Sequence, residues 1–81
     1  MSTAAKIDTF KKALGDMSYS RAGWDYQMSA TQRAQEKALE HKARDDARAI
    51  WSENPDLHDD LRAAFLELSP LATMSEIEVQ P

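Results

Sequence analysis

Trp51-Ser52-Glu53-Asn54-Pro55-Asp56-Leu57-His58-Asp59-Asp60-Leu61 is the stretch that divides this chain into helices. Asn54 suits the cap of a new helix, and Pro55 suits the first helical position, where its missing N–H costs nothing. Asp56, Asp59 and Asp60 then sit near the positive end of the helix dipole. Leu57, Leu61, Ala64, Phe65 and Leu68 recur at helical spacing and make one apolar face. Ser69-Pro70 stops the helix.

Upstream, the longest helix is predicted from Ser29 or Thr31 to Trp51. Leu39, Ala43, Ala47, Ile50 and Trp51 form a narrow stripe whose small residues let another helix approach closely. The opposite face alternates in sign, with Glu40 and Arg44 an i,i+4 pair in the favourable order. A first helix is predicted from Ser2 or Thr3 to Leu14, with Ile7, Phe10 and Leu14 as its stripe and Gly15 as the residue that ends it. Residues 16–28 hold Met17, Tyr19, Trp24, Tyr26 and Met28 around Gly23, and read as a loop or a short irregular helix at 17–27. After Pro70, the alternation Glu76-Ile77-Glu78-Val79 reads as an edge strand or an extended, frayed tail.

The fold class that follows is all-α: a small three-helix bundle with a long central helix. Residues 1–70 form one helical domain, and 71–81 form an extended or flexible tail. The expected core sets Leu61, Phe65 and Leu68 against Leu39, Ile50 and Trp51. At 1.5 Å per residue the central helix spans about 30 to 35 Å and its neighbours about 18 to 21 Å. Two short helices therefore cover it end to end or leave an overhang of apolar surface for a twin or a partner.

Composition narrows the function classes. The chain has 81 residues, no cysteine and a net charge of −4. A core this small supplies roughly 3 to 5 kcal/mol. No disulfide or thiolate metal site is available. No apolar run approaches the roughly 20 residues that span a bilayer, and Met1-Ser2-Thr3-Ala4-Ala5-Lys6 lacks the apolar core of a signal peptide, so the expected compartment is cytoplasmic. From Glu53 onward there are seven acids and one base, Arg62; before it there are nine bases and seven acids. An acidic surface draws basic partners and repels nucleic acid.

No residues assemble a catalytic kit. The serines fall in caps and turns, and no glycine-rich loop cradles a phosphate. His41 and Asp45 lie one turn apart, as metal ligands can, but no motif supplies further ligands; a surface charge pair is the simpler reading. His58 beside Asp59 reads as a local pairing. Asp59 and Asp60 point about 100° apart on a helix and so form no dyad. No catalytic residue, cofactor or metal is expected.

Tyr19, Trp24 and Tyr26, with Arg21, are residue types enriched where proteins bind one another. As core filler, the aromatics would instead compensate for the alanine-rich central helix. The expected site is therefore a protein-binding surface in which Tyr19, Arg21, Trp24 and Tyr26 anchor a partner and Asp56, Asp59 and Asp60 guide it.

The proline-started acidic helix after Trp51 looks like segments of some small phage-encoded proteins. A small acidic helical chain without a catalytic kit is also similar in build to phage inhibitors, anti-CRISPR proteins among them. That resemblance implies a non-enzymatic protein that masks a basic or nucleic-acid-binding surface; it carries over no site residue. The alternatives are an assembly subunit that forms homodimers through the long helix, and a DNA-binding regulator, which the charge disfavours.

Overall fold

A computed structural model describes residues 2–22 and 29–78 and gives an all-α bundle. Helix α1 spans Thr3–Ala22, α2 spans Ala30–Glu53, a single 3-10 turn covers Pro55–Leu57, α3 spans His58–Leu68 and α4 is one turn, Met74–Ile77. The long helix is the spine, as its length requires: the molecule measures 42 × 25 × 23 Å, and the 24 residues of α2 span about 36 Å of the long axis.

Helix α1 does not stop at Gly15. The apolar stripe that begins at Ile7, Phe10 and Leu14 continues at the same period through Met17 to Ser20, and Phe10, Leu14 and Met17 are wholly buried. Burying Met17 outweighs the roughly 1 kcal/mol that glycine costs inside a helix. Residues 17–22, expected in a loop or separate helix, are thus the last turns of α1; Trp24, Tyr26 and the rest of 23–28 lie outside the described residues.

Helix α2 starts where a cap was expected, at Ser29. The Ser29 hydroxyl accepts from the Gln32 amide at 3.1 Å, and the Gln32 side chain accepts from the Ser29 amide at 3.0 Å. This reciprocal pair satisfies two free donors at the helix start. The helix runs antiparallel to α1: Ser20 meets Glu36, while Thr9 and Ala13 share a groove with Lys42 and Asp46. Buried Ala13, Ala43 and Ala47 permit the close approach.

Asn54 works differently from the expectation. It makes no side-chain cap to the turn that follows. Its side-chain amide donates back to the Ile50 carbonyl at 2.8 Å, so it closes the end of α2. Pro55 then opens a 3-10 turn, and α3 proper begins at His58. Trp51 is the cornerstone of this bend. The His58 ring stacks on it with centroids 3.7 Å apart and meets its carbonyl at 2.8 Å, and the Arg62 guanidinium lies 5.4 Å from its ring centroid.

The core gathers Phe10, Leu14 and Met17 from α1, Ala43, Ala47 and Trp51 from α2, Leu57, Leu61 and Phe65 from the turn and α3, and Ile77 from α4. Ile50 packs at its edge. Two residues expected inside are not there: Leu39 is 52% exposed and Leu68 42% exposed. Leu39 lies near the level where α1 ends, and Leu68 is the last residue before the chain turns out of α3 at Ser69. Ile77 is wholly buried in that core. The expected edge strand or frayed tail is, over residues 71–78, a segment folded back on the bundle. Thr73 and Glu76 form a second capping box that starts α4.

Candidate functional site

Two charged regions stand out. The first is half-buried between the helices and centres on Arg21, near the end of α1. Its Nε donates to Glu40 of α2 at 2.8 Å. Its Nη2 donates to Glu76 of α4 at 2.6 Å, and its Nη1 reaches the other oxygen of Glu76 at 3.2 Å and the Leu71 carbonyl. The planar fork of arginine suits this bidentate grip. The hydrogen bond from Arg21 holds the Glu76 carboxyl at a pKa of about 2 against partial burial, with the Thr73 amide, at 2.7 Å, helping. Arg21 is raised above its ordinary value, chiefly by the bond to Glu76 and secondarily by the bond to Glu40.

Arg48 of α2 donates to the Glu76 carbonyl at 2.6 Å, and Arg62 of α3 to Glu78 at 2.9 Å. Three arginines from three helices thus hold one short segment. The sequence reading pairs Glu40 with Arg44, four residues on; the structure gives Glu40 to Arg21. Arg44 instead lies 3.6 Å from Asp45. An i,i+4 pair on an exposed face contributes only tenths of a kcal/mol, so a half-buried, charge-assisted bond from the Nε of an arginine on another helix displaces it.

The second region is the bend between α2 and α3. Glu53, Asp56, Asp59 and Asp60 are all exposed there. Among the described residues only Asp59 meets a cation, Arg62 at 3.8 Å, and Arg62 is already engaged by Glu78. Three of the four complement the start of α3. Glu53 does not: it ends α2, where a negative charge opposes the dipole.

The expected site residues therefore fall in three places. Asp56, Asp59 and Asp60 cluster at the bend. Arg21 is drawn into the half-buried network, its side chain 24% exposed. Tyr19 stands 76% exposed on the outer face of α1. Helices α1 and α3 run the same way, since Lys11 pairs with Glu67 at 3.5 Å and the Ser18 hydroxyl accepts from the Leu71 amide at 2.9 Å. Asp60 precedes Glu67 by seven residues and Tyr19 follows Lys11 by eight, so roughly 20 Å separates Tyr19 from the acids. Trp24 and Tyr26 lie outside the described residues. The functional group the sequence reading misses is the set Glu40, Arg48, Glu76 and Arg62. Only the Thr73-x-x-Glu76 spacing signalled part of it, as a capping box.

A shallow groove of about 170 Å³ between α1 and α2 is lined by Thr9, Lys12, Ala13, Asp16, Lys42 and Asp46. Its charges are mixed, and Lys42 and Asp46 pair with each other at 3.2 Å. Ser29 and the first turns of α2, through Gln35, are exposed. Among the described residues no group of histidines and acids is placed to hold a metal ion, and no helix is long and apolar enough to cross a membrane. No family model, curated protein or solved structure matches the chain.

Proposed function

We propose that this chain is a non-enzymatic binding protein whose acidic bend docks on a basic surface of a larger protein and masks it, as small inhibitors do. The observation that carries the reading is the four-carboxylate cluster of Glu53, Asp56, Asp59 and Asp60. It is exposed, nearly without internal cations, and larger than the helix start requires. Glu53 carries the most weight, because it works against the dipole of its own helix. Elsewhere the acids of the back half are held: Glu67 by Lys11, Glu76 by Arg21 and Glu78 by Arg62. The cluster leaves a field of one sign at one end of a chain of net charge −4, which steers a cationic surface in and a nucleic-acid backbone away.

The test is Asp59→Lys with Asp60→Lys, measured against the partner captured by cross-linking in the native host. Association should slow by about tenfold or more at low salt, and its salt dependence should flatten, with a smaller effect on dissociation. If the acids only complement the helix dipole, the variant loses thermal stability and associates at the parental rate. That result would end the steering idea. Cross-links mapping to Tyr19 rather than to residues 53–60 would move the docking surface to the outer face of α1.

A further inference from the structure

Residues 70–78 behave as a strap. Every strong hold on them comes from elsewhere in the bundle: Arg21 of α1, Arg48 of α2 and Arg62 of α3 grip Glu76, its carbonyl and Glu78. Ser18 and Arg21 hold the two sides of the Leu71 backbone, and the Ile77 side chain is wholly buried in the shared core. The seat is a hydrophobic slot ringed by three guanidinium groups, and Glu76-Ile77-Glu78 is its complement in shape and charge.

The strap enters through an unfavourable joint. Ser69 ends α3 with φ 47° and ψ 56°, the one positive φ at a non-glycine residue among those described. A side chain there crowds the following carbonyl. The next residue is Pro70, whose ring drives its predecessor toward extended geometry. Ser69 therefore departs from two local preferences at once, and it is kept there by the closed strap together with its own cap bonds, the amide donating to the Phe65 carbonyl at 3.0 Å and the hydroxyl to the Leu66 carbonyl at 3.2 Å. Extending Ser69 relieves both preferences, gives up those two bonds and swings the strap away from its own body.

We infer that the strap is exchangeable between copies: it opens at Ser69-Pro70 and seats Glu76-Ile77-Glu78 between Arg21, Arg48 and Arg62 of a second copy of this chain. Each body then receives the contacts it gave up, and two strained joints are released. Opposing this is the high effective concentration of a strap on a two-residue tether, which favours the closed monomer in dilute solution. Exchange of an identical element is a low-cost route to a dimer for this reason.

Charge reversal in separate chains tests the inference. One chain carries Arg21→Glu, the other Glu76→Arg. Alone, each sets like charges together, whether its strap closes on itself or on an identical copy. Mixed, the swapped pair restores an opposite-charge pair at both seats, although the seat carrying Arg21→Glu still lacks the bond to Glu40. The body that keeps Arg21 receives the strap that keeps Glu76, and the body carrying Arg21→Glu receives the strap carrying Glu76→Arg. Light scattering and native mass spectrometry should show 9.1 kDa monomers for each chain alone and a one-to-one heterodimer of twice that mass on mixing at high concentration. Either variant mixed with the parent exchanges one matched seat for another and gains no contact, so its pairing should be far weaker than that between the two variants. Ser69→Gly, which relaxes the joint in the closed form, should lower parental dimerisation by about tenfold per joint.

The chain carrying both reversals together is the folding control. If it folds and the mixture still holds only monomers, the inference is overturned. It is also overturned if either variant pairs with the parent as strongly as with the other variant, since that marks another interface. Should the control fail to fold, Arg62→Glu with Glu78→Arg reverses the exposed half of the same seat and is read by the same two outcomes.

Discussion

Replacing Glu76 by glutamine removes one charge and turns one of the two oxygens that accept from Arg21 into a donor. Glutamine keeps the length of the side chain, and its carbonyl oxygen can still accept from the Thr73 amide that Glu76 caps at 2.7 Å. The loss is therefore the ionic part of the grip by Arg21 together with the bond from its Nη2, because the glutamine nitrogen then stands where an oxygen accepted at 2.6 Å. Moving a carboxyl from 4.5 to about 2 corresponds to roughly 3 kcal/mol of preferential stabilisation of the charged form. The two side chains are 24% and 30% exposed, so solvent screens the pair and the expected loss at pH 7 is about 1 to 2 kcal/mol. In a domain that holds only a few kcal/mol this is a large fraction.

The sign of the pH dependence follows from the direction of the shift. Glu76 has a lower pKa folded than unfolded, so its contribution is fully present above 4.5 and fades as pH falls toward 2. Urea unfolding of parent and Glu76→Gln, followed by circular dichroism, should show the full gap at pH 7 and roughly half of it near pH 3. Other carboxylates titrate in the same range, but they do so in both proteins and cancel in the difference. Equal stability at pH 7, or a gap that stays constant down to pH 3, would refute the account of the Arg21 network.

Two further expectations concern the helices. At Gly15 an added Cβ would meet nothing within 4 Å and the backbone is helical, so Gly15→Ala should raise stability by about 0.5 to 1 kcal/mol in a melting experiment; a loss would mean the turn at Gly15 is not regular helix. Phe65 is 8% exposed in the main cluster, so Phe65→Ala should cost roughly 3 to 5 kcal/mol, and a variant that still melts cooperatively near the parental temperature would exclude Phe65 from the core.

The parts of the fold that could be read from sequence are those fixed by local chemistry. Ser29 marks a helix start because a hydroxyl there can serve free amides, and it does. Leu57, Leu61 and Phe65 repeat at the helical period, and all three are buried. The errors arise where local and tertiary demands disagree. Gly15 is a good helix terminator in isolation, but the buried stripe through Met17 overrides it. Asn54-Pro55 looks like a cap and first turn, yet Asn54 turns its side chain back to Ile50, beside the stacked Trp51 and His58. Leu39 and Leu68 keep the right periodicity but stand exposed, Leu39 beside Glu36 and Glu40 where α1 meets α2 through Ser20 and Arg21, and Leu68 at the last residue of α3. The tail failed for a different reason. Glu76-Ile77-Glu78 alternates like a strand, and only the distant arginines on three helices show that it is the strap across the bundle.

Those arginines also change what the charge split means. From Glu53 onward the chain has seven acids against one base, which suggests a partner outside the molecule. Glu67, Glu76 and Glu78 answer instead to Lys11, Arg21 and Arg62 within it. The basic front and acidic back are in part a single interaction, the one that brings residues 70–78 home. What the fold leaves over is Glu53, Asp56, Asp59 and Asp60, at one end, with a lone 3.8 Å contact to Arg62. If the strap opens, Arg62 loses Glu78 and becomes free to approach Asp59 more closely, which lowers the net field of the acidic bend. Strap closure and a sharp acidic surface should therefore rise together, and a chain with an exchanged strap should keep both, because each seat is filled again.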